Sequence, residues 1–379
     1  MEGRDEISAF GDLHLGKVVH QYSMLEDQRQ LLDQVCACAE SEHADAVIIA
    51  GDVYDRHLPP EEAVNLLDDF LTELTARGLE VFMIAGNHDS RMRLRFGSRL
   101  LSAKGLHIAC DPQDALRPIT MRDAWGELHV WMLPFIKPVY VRSFLDREIE
   151  GWQDAVSAMI AAMEIDQQAR NVLIAHQFVA GAQTCDSEQA AMVGGVDQIA
   201  VSTFAAFDYV ALGHLHSPQQ VGRPHVRYSG SLMKYSFSEA AQHKQMVFAD
   251  LREKGEIKLS FVPFQLPHDM RILRGTYDEL AASGHEDAHR EDYLRIILTD
   301  EEPVPDALAR LRTVYPHIME LEYDNIRTSL QQQVESKVKE RGAMELMAEL
   351  YALQNNQPLS DKQRDCLRAL LEASEEGEA

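Results

Sequence analysis

Ala46-Val47-Ile48-Ile49-Ala50-Gly51-Asp52-Val53-Tyr54-Asp55 is the stretch that decides how this chain folds. Residues 45–50 form a run too short for a helix and rich in Val and Ile, which reads as a buried strand. It ends in a glycine and an aspartate that a core would not choose. Runs of the same kind occur at 79–85, 171–175 and 207–212. Residues 60–77 between them are amphipathic, opened by Pro60, stopped by Gly78 and carrying Val64, Leu67, Phe70, Leu71 and Leu74 on one predicted helix face. Short strands alternating with helices predict an α/β layered core.

Polar residues recur where these strands end. Asp12 and His14 follow the first, Gly51-Asp52 the second, Gly86-Asn87-His88-Asp89 the third, His176 the next, and Gly213-His214-Leu215-His216 the last. In open α/β sheets ligands bind beyond the carboxyl ends of strands, so these groups are expected to converge. Each motif alone is a common turn, but five in order, each behind an apolar run, point to a metal site.

Asp12, Asp52, Asn87, His14, His176, His214 and His216 supply enough oxygen and nitrogen ligands for two divalent cations. Carboxylate mixed with imidazole suits Mn, Fe or Zn better than Mg or Ca, and Mn²⁺ is the first expectation. Two ions roughly 3.5 to 4 Å apart can share one carboxylate and neutralise charge on a phosphoryl group during in-line attack. Asp52 is the expected bridge. His88, next to the ligand Asn87, is the expected general acid, with Asp89 fixing its tautomer. Asp55 reads equally well as a supporting group or a turn residue.

A chain of 379 residues, 45% hydrophobic, can bury one large core plus a smaller one. No apolar stretch approaches the roughly 20 residues of a membrane span, and the charged start is no signal peptide, so a cytoplasmic protein is expected. The five scattered cysteines suggest reduced core thiols. A formal net charge of −25 argues against a large basic nucleic-acid surface, so any DNA contact must be local, metal-assisted or shared with a partner. Lys17 and Arg91, Arg93 and Arg95, close to the motifs, are candidate phosphate contacts, with Arg271, Arg274 and Arg295 further along.

After about residue 265 the texture changes to strand-like 270–273, 293–298 and 318–323 around a helix near 305–313, a small α+β unit. The expected division is 1–265, 266–324, a solvated linker 325–343, and a tail 344–379 with helices at 344–354 and 360–371.

The ordered motifs resemble the calcineurin-like metallophosphoesterases. Leu15-Gly16-Lys17, Leu133-Pro134-Phe135-Ile136-Lys137-Pro138, Tyr228-Ser229-Gly230-Ser231 and Lys234-Tyr235-Ser236-Phe237-Ser238 narrow the resemblance to the SbcD nucleases. The fold this implies is α/β, a layered β-sandwich flanked by helices, with a small α+β capping domain that binds DNA and C-terminal helices. By the same resemblance Asp12, His14, Asp52 and His216 hold one metal, Asp52, Asn87, His176 and His214 the other, and His88 is the catalytic histidine.

The activity implied is metal-dependent hydrolysis of DNA, exonucleolytic at double-stranded ends and endonucleolytic at hairpins and single strands, in repair, recombination and replication. The partner implied is SbcC, an ATPase with coiled-coil arms, bound by the tail through Leu346, Met347, Leu350, Leu353, Leu367, Leu370 and Leu371. A homodimer within a heterotetramer is expected, through helices near 63–74 or 93–101. A phosphatase or cyclic-nucleotide phosphodiesterase on the same metal site, or a non-catalytic scaffold for DNA and an ATPase, are the competing readings. Gly11 stands where that family has serine, and charged residues up to Glu6 precede the thin apolar run 7–10, so the first strand is expected to pack weakly.

Overall fold

Burial on both faces is what an unbroken apolar run requires, and the strand at 46–49 has it: Ala46, Val47, Ile48 and Ile49 are all inaccessible to solvent. The computed structural model describes residues 5–189 and 197–324, with residues 360, 363, 364 and 367. In chain order the strands are β1 (Asp5–Phe10), the hairpin β2 (Val18–Val19) and β3 (Tyr22–Ser23), β4 (Ala46–Ile49), β5 (Glu80–Ile84), β6 (Leu106–Ala109), β7 (Ile119–Asp123) and β8 (Gly126–Leu133). There follow β9 (Arg170–His176), β10 (Tyr209–Gly213), β11 (Gln219–Val221), β12 (Arg223–Tyr228), β13 (Gln245–Leu251), β14 (Ile257–Pro263), β15 (Met270–Gly275), β16 (Tyr293–Leu298) and β17 (Ile318–Tyr323).

Two six-stranded sheets build the first unit, one ordered β14-β13-β1-β4-β5-β6 and the other β11-β12-β10-β9-β8-β7. The neighbours β1/β4, β4/β5 and β5/β6 are parallel, as are β8/β9, β9/β10 and β10/β12. Ile7, Ala9, Ile48, Phe82 and Ile84 of the first sheet meet Val130, Met132, Val172, Ile174 and Ala211 of the second in one core. The alternate residues of the second sheet, Trp131, Leu133, Leu173 and Leu212, pack with Val156 and Met159 of the helix Trp152–Ala161. α1 (Leu25–Ser41) and α2 (Glu61–Ala76) pack on each other, and α2 lies on β5.

Two expectations are corrected here. The first strand packs well: β1 is central in its sheet, with Ile7, Ala9 and Phe10 buried between β13 and β4. Gly11 suits its place, because a β-carbon there would stand 3.2 Å from Ala50 Cβ. The buried face of α2 is Ala63, Leu66, Leu67, Phe70 and Leu74, while Val64 is 42% exposed and Leu71 half-buried. The stripe is rotated from the predicted one because Ala63, too small to weigh in a hydrophobic count, sits at its centre.

The second unit comprises 273–288 and 296–379, and 289–295 belong to the first. The sheet β15-β16-β17 forms its framework, with the helices Tyr277–Ser283 and Ala307–Leu311. Thr276 and Glu279 cap the former reciprocally. Leu346, Met347, Leu350, Leu353, Leu370 and Leu371 lie outside the described residues; Leu367 is helical and half-buried.

Candidate metal centre

The loops after β1 and β4 run side by side and are stitched together by their backbones. Asp12 N donates to Gly51 O at 3.0 Å, His14 N to Asp52 O at 2.9 Å and Leu15 N to Val53 O at 2.9 Å. Holding the side chains inward forces Asp12, His14 and Asp52 into the left-handed region, with φ of 51°, 46° and 46°. Such conformations store strain and persist only where surrounding structure dictates them. Gln28 of α1 supplies part of that structure. Fully buried, it donates from Nε2 to Leu13 O and His14 O at 3.1 and 2.9 Å and accepts from Gly16 N at 3.0 Å. Two glycines allow the loops to close: a β-carbon on Gly86 would stand 2.1 Å from Asp52 Oδ1, and one on Gly213 would stand 1.9 Å from Ala50 O.

All seven expected ligands converge at these strand ends. Ligand atoms of Asp12, His14 and His216 lie within 4.8 Å of one another, as do those of Asp12, Asp52 and His176. Asp52 Oδ2 is 3.7 Å from His14 Nε2 and 3.4 Å from His176 Nε2, so it stands between the two groups. Asn87 Oδ1 lies 2.9 Å from both His176 Nε2 and His214 Nδ1.

The donor set fits cations. The Nε2 atoms of His14 and His216 face each other at 3.1 Å. Asp12 Oδ1 accepts from His214 N at 2.8 Å, but its Oδ2 is buried without any hydrogen bond, while His14 Nδ1, on the far side of its ring, lies 3.6 Å from Asp55 Oδ1. Buried polar atoms like Asp12 Oδ2 are ordinarily paired, so an unpaired one marks a place for an ion. His176 Nδ1 is 2.8 Å from Ala50 O and so carries a proton, which leaves Nε2 as the coordinating atom of the neutral ring.

Electrostatics without ions show the strain of packing these groups together. Burial, reinforced by Asp52 and only partly offset by His176 and His216, pushes the Asp12 carboxyl up to about 7. Burial also disfavours a charged Asp52, but His176, His14 and His88 outweigh it and hold that carboxyl well below its usual range. Burial would lower His176, yet the Asp52 and Asp12 carboxylates raise it to about 9. Burial takes His214 down to about 3, helped by His176, and takes His14 well down too.

His88 is half-buried at the rim, its ring 4.8 Å from that of His14. Its orientation departs from expectation. Nδ1 lies 2.9 Å from the Asp55 backbone oxygen, and His88 N donates to Asp52 Oδ1 at 2.8 Å. Asp89 does not touch the ring. It accepts from Gly86 N, Val53 N and Tyr54 N at 2.8, 3.1 and 2.9 Å, and so ties two ligand loops together. Burial, and next the charge of Asp52, raise it to about 6 despite those amides.

The expected phosphate contacts fare less well. Lys17 Nζ is paired with Asp55 at 2.6 Å beside His14, which makes Asp55 a supporting group rather than a turn residue. Arg91 pairs with Asp111 at 3.2 Å and stacks on Tyr140, and Arg95 is held by Asp111 and Asp114. Arg93 is exposed and makes no ion pair among the described residues. Arg271 pairs with Asp292 at 2.6 Å, Arg274 with Asp324 at 2.5 Å, and the Arg295 guanidinium lies over Phe237. Acidic residues distant in sequence take most of these cations, which the sequence could not reveal. Sequence reasoning also missed Gln28, Ser187, Glu239 and Lys244, buried or half-buried polar residues around the ligands. Only the charge of Glu239 and Lys244, five residues apart, offered a signal.

Two facing sheets with a metal-ligand set at the strand ends define a calcineurin-like phosphoesterase, and that family's profile matches residues 7–218. Residues 266–355 match the type 5 capsule protein repressor C-terminal domain. The SbcD subunit of the SbcCD nuclease of Staphylococcus epidermidis is 31% identical over 95% of this chain and 96% of that protein. Its counterpart in Staphylococcus saprophyticus is 32% identical over 82% of each. The chain belongs to the SbcD family of SbcCD nuclease components, a family of phosphoesterase-type hydrolases.

Proposed function

We propose that this chain hydrolyses the DNA backbone with two divalent ions, Mn²⁺ first among them, as the nuclease subunit of a cytoplasmic ATP-dependent complex with SbcC. Its reactions would be exonucleolytic at double-stranded ends and endonucleolytic at single strands and hairpins, serving repair, recombination and replication. The observation that carries this reading is the convergence of Asp12, His14, Asp52, Asn87, His176, His214 and His216 at one set of strand ends, with Asp12 Oδ2 buried there and without a hydrogen-bond partner. Asp12, His14, Asp52 and His216 would hold one ion and Asp52, Asn87, His176 and His214 the other, which together supply Lewis acidity toward the phosphodiester.

The chain's own groups do the rest. Asp52, kept ionised by its imidazole neighbours, would be the carboxylate shared by both ions. Asp89 and Gln28 keep the ligand loops in their strained shape. His88, with Nδ1 committed to Asp55 O, turns Nε2 to the rim, where it protonates the departing oxygen.

The same reading gives 266–324 the role of a DNA-binding cap and 344–379 that of the segment held by SbcC, joined by 325–343. Met92, Phe96 and Leu100, 80%, 88% and 80% exposed, stand on the two short helices Arg91–Leu94 and Ser98–Leu101 and the turn between them, which supports a homodimer through helices near 93–101, within a heterotetramer. The test is hydrolysis of end-labelled duplex and hairpin DNA by the purified chain, with and without SbcC, ATP and Mn²⁺. His88→Ala should lower turnover on the order of 100- to 10,000-fold and leave Mn²⁺ binding intact. Turnover of small phosphoesters without DNA hydrolysis would overturn the proposal in favour of a phosphatase.

A further inference from the structure

His216 differs from the other ligands in what holds its far side. Its Nε2 faces His14, while Nδ1 lies 2.7 Å from Ser187 Oγ. Ser187 in turn donates to Glu239 Oε1 at 2.7 Å. Glu239 is fully buried and is salt-bridged through Oε2 to Lys244 Nζ at 2.6 Å. Oε1 also accepts from Tyr235 N at 3.2 Å and Ser236 Oγ at 3.1 Å. Lys244 donates further to His216 O and Ser231 Oγ at 2.7 and 2.9 Å, so the buried ion pair is anchored to the backbone of the ligand itself.

Ser187 Oγ also lies 3.2 Å from Cys185 Sγ, a far weaker acceptor than the Glu239 carboxylate, so the order of protons along this chain follows from Glu239. A carboxylate only accepts, so Ser187 must spend its single hydroxyl proton on Glu239. Ser187 therefore turns a lone pair toward His216, and Nδ1 must keep a proton to donate to it. Nε2 is left bare and pointed at the space shared with His14 and Asp12. Carboxylate groups that orient a ligating imidazole in this way ordinarily raise its metal affinity; here a serine hydroxyl is interposed.

Resting on the two-ion reading, we propose that Ser187, aligned by the Glu239–Lys244 pair, is the positioning residue for His216 and sets the affinity of the ion site built by Asp12, His14 and His216. The side chain touches neither substrate nor ion; it acts through the ring.

The experiment is a Mn²⁺ titration of the full-length chain, by calorimetry and by the paramagnetic resonance of free Mn²⁺. Wild type, Ser187→Ala, Ser187→Thr and His216→Ala are compared, and each is melted in EDTA. Wild type should bind two ions. S187A should weaken one of them by about 10- to 100-fold, the same one that H216A removes, and leave the other unchanged. S187T, which keeps the hydroxyl, should bind like wild type and melt like it in EDTA, and S187A should stay folded at the titration temperature in EDTA. Unchanged affinities in S187A, parallel weakening of both ions, or failure of S187T to restore binding would each overturn the proposal. A wild type that binds fewer than two ions would overturn the two-ion reading, and this inference with it.

Discussion

Asp12 shows how much chemistry one side chain reveals. Its carboxyl, raised to about 7 by burial, and the His176 imidazole, raised to about 9 by its carboxylate neighbours, both hold protons that an ion must displace. The signs agree. A raised Asp12 gives the ion-free protein stability that is full below 3.8 and lost as pH rises through about 7. The contribution of His176 is full below 6.5 and lost as pH rises through about 9. The lowered His214 and His14 act in the opposite sense, but only below about 6.5, so melting in EDTA should fall from about pH 7 to about pH 9, while the gain on adding saturating Mn²⁺ widens. A gap that narrows over that range would contradict this assignment. The ligands themselves were legible in the sequence because each follows an apolar run directly. Asp89 was misread for a physical reason: adjacency to His88 suggested a ring contact, but the turn sends its carboxylate to three backbone amides instead.

Among the elements, the loop after β5 is the most exacting. Gly86→Ala would drive a methyl group into Asp52 and its amide, so Mn²⁺ binding should be lost while the sheets, which the loop leaves at the end of β5, survive by circular dichroism. Retained binding of two ions would show that the loop yields. On α2, Phe70→Ala should destabilise by about 3–5 kcal/mol and Val64→Ala by less than about 0.5, read from denaturant midpoints. The strands 46–49, 80–84, 170–176 and 209–213 could be read from sequence because both faces are buried and apolar. β7 and β14 were not, since their exposed faces interrupt the apolar run. The helix Tyr277–Ser283 was also missed, although Thr276 and Glu279 stand at the spacing of a reciprocal cap.

For the molecule as a whole, a net charge of −25 combined with Arg and Lys already paired to acids leaves little to hold a polyanion. Among the described residues no helix is long and apolar enough to cross a membrane. Each phosphate contact steepens the fall of affinity with salt, so DNA binding by the chain alone should be weak and fall gently between about 50 and 200 mM salt, and be tighter but fall more steeply with SbcC present. Equal salt slopes in the two cases would show that SbcC adds no phosphate contacts. The left-handed backbone at Asp12, His14 and Asp52 bears on what selection can do with such a molecule. At about pH 9, where the Asp12 carboxyl is a buried charge, a glycine at position 12 would remove that charge and ease the left-handed backbone, a gain that outweighs the lost hydrogen bond from His214 N, so Asp12→Gly should there melt higher than its parent in chelator. Thermal endurance screened under those conditions would thus enrich dead enzymes, and only a screen run with the ions present would reward a living one.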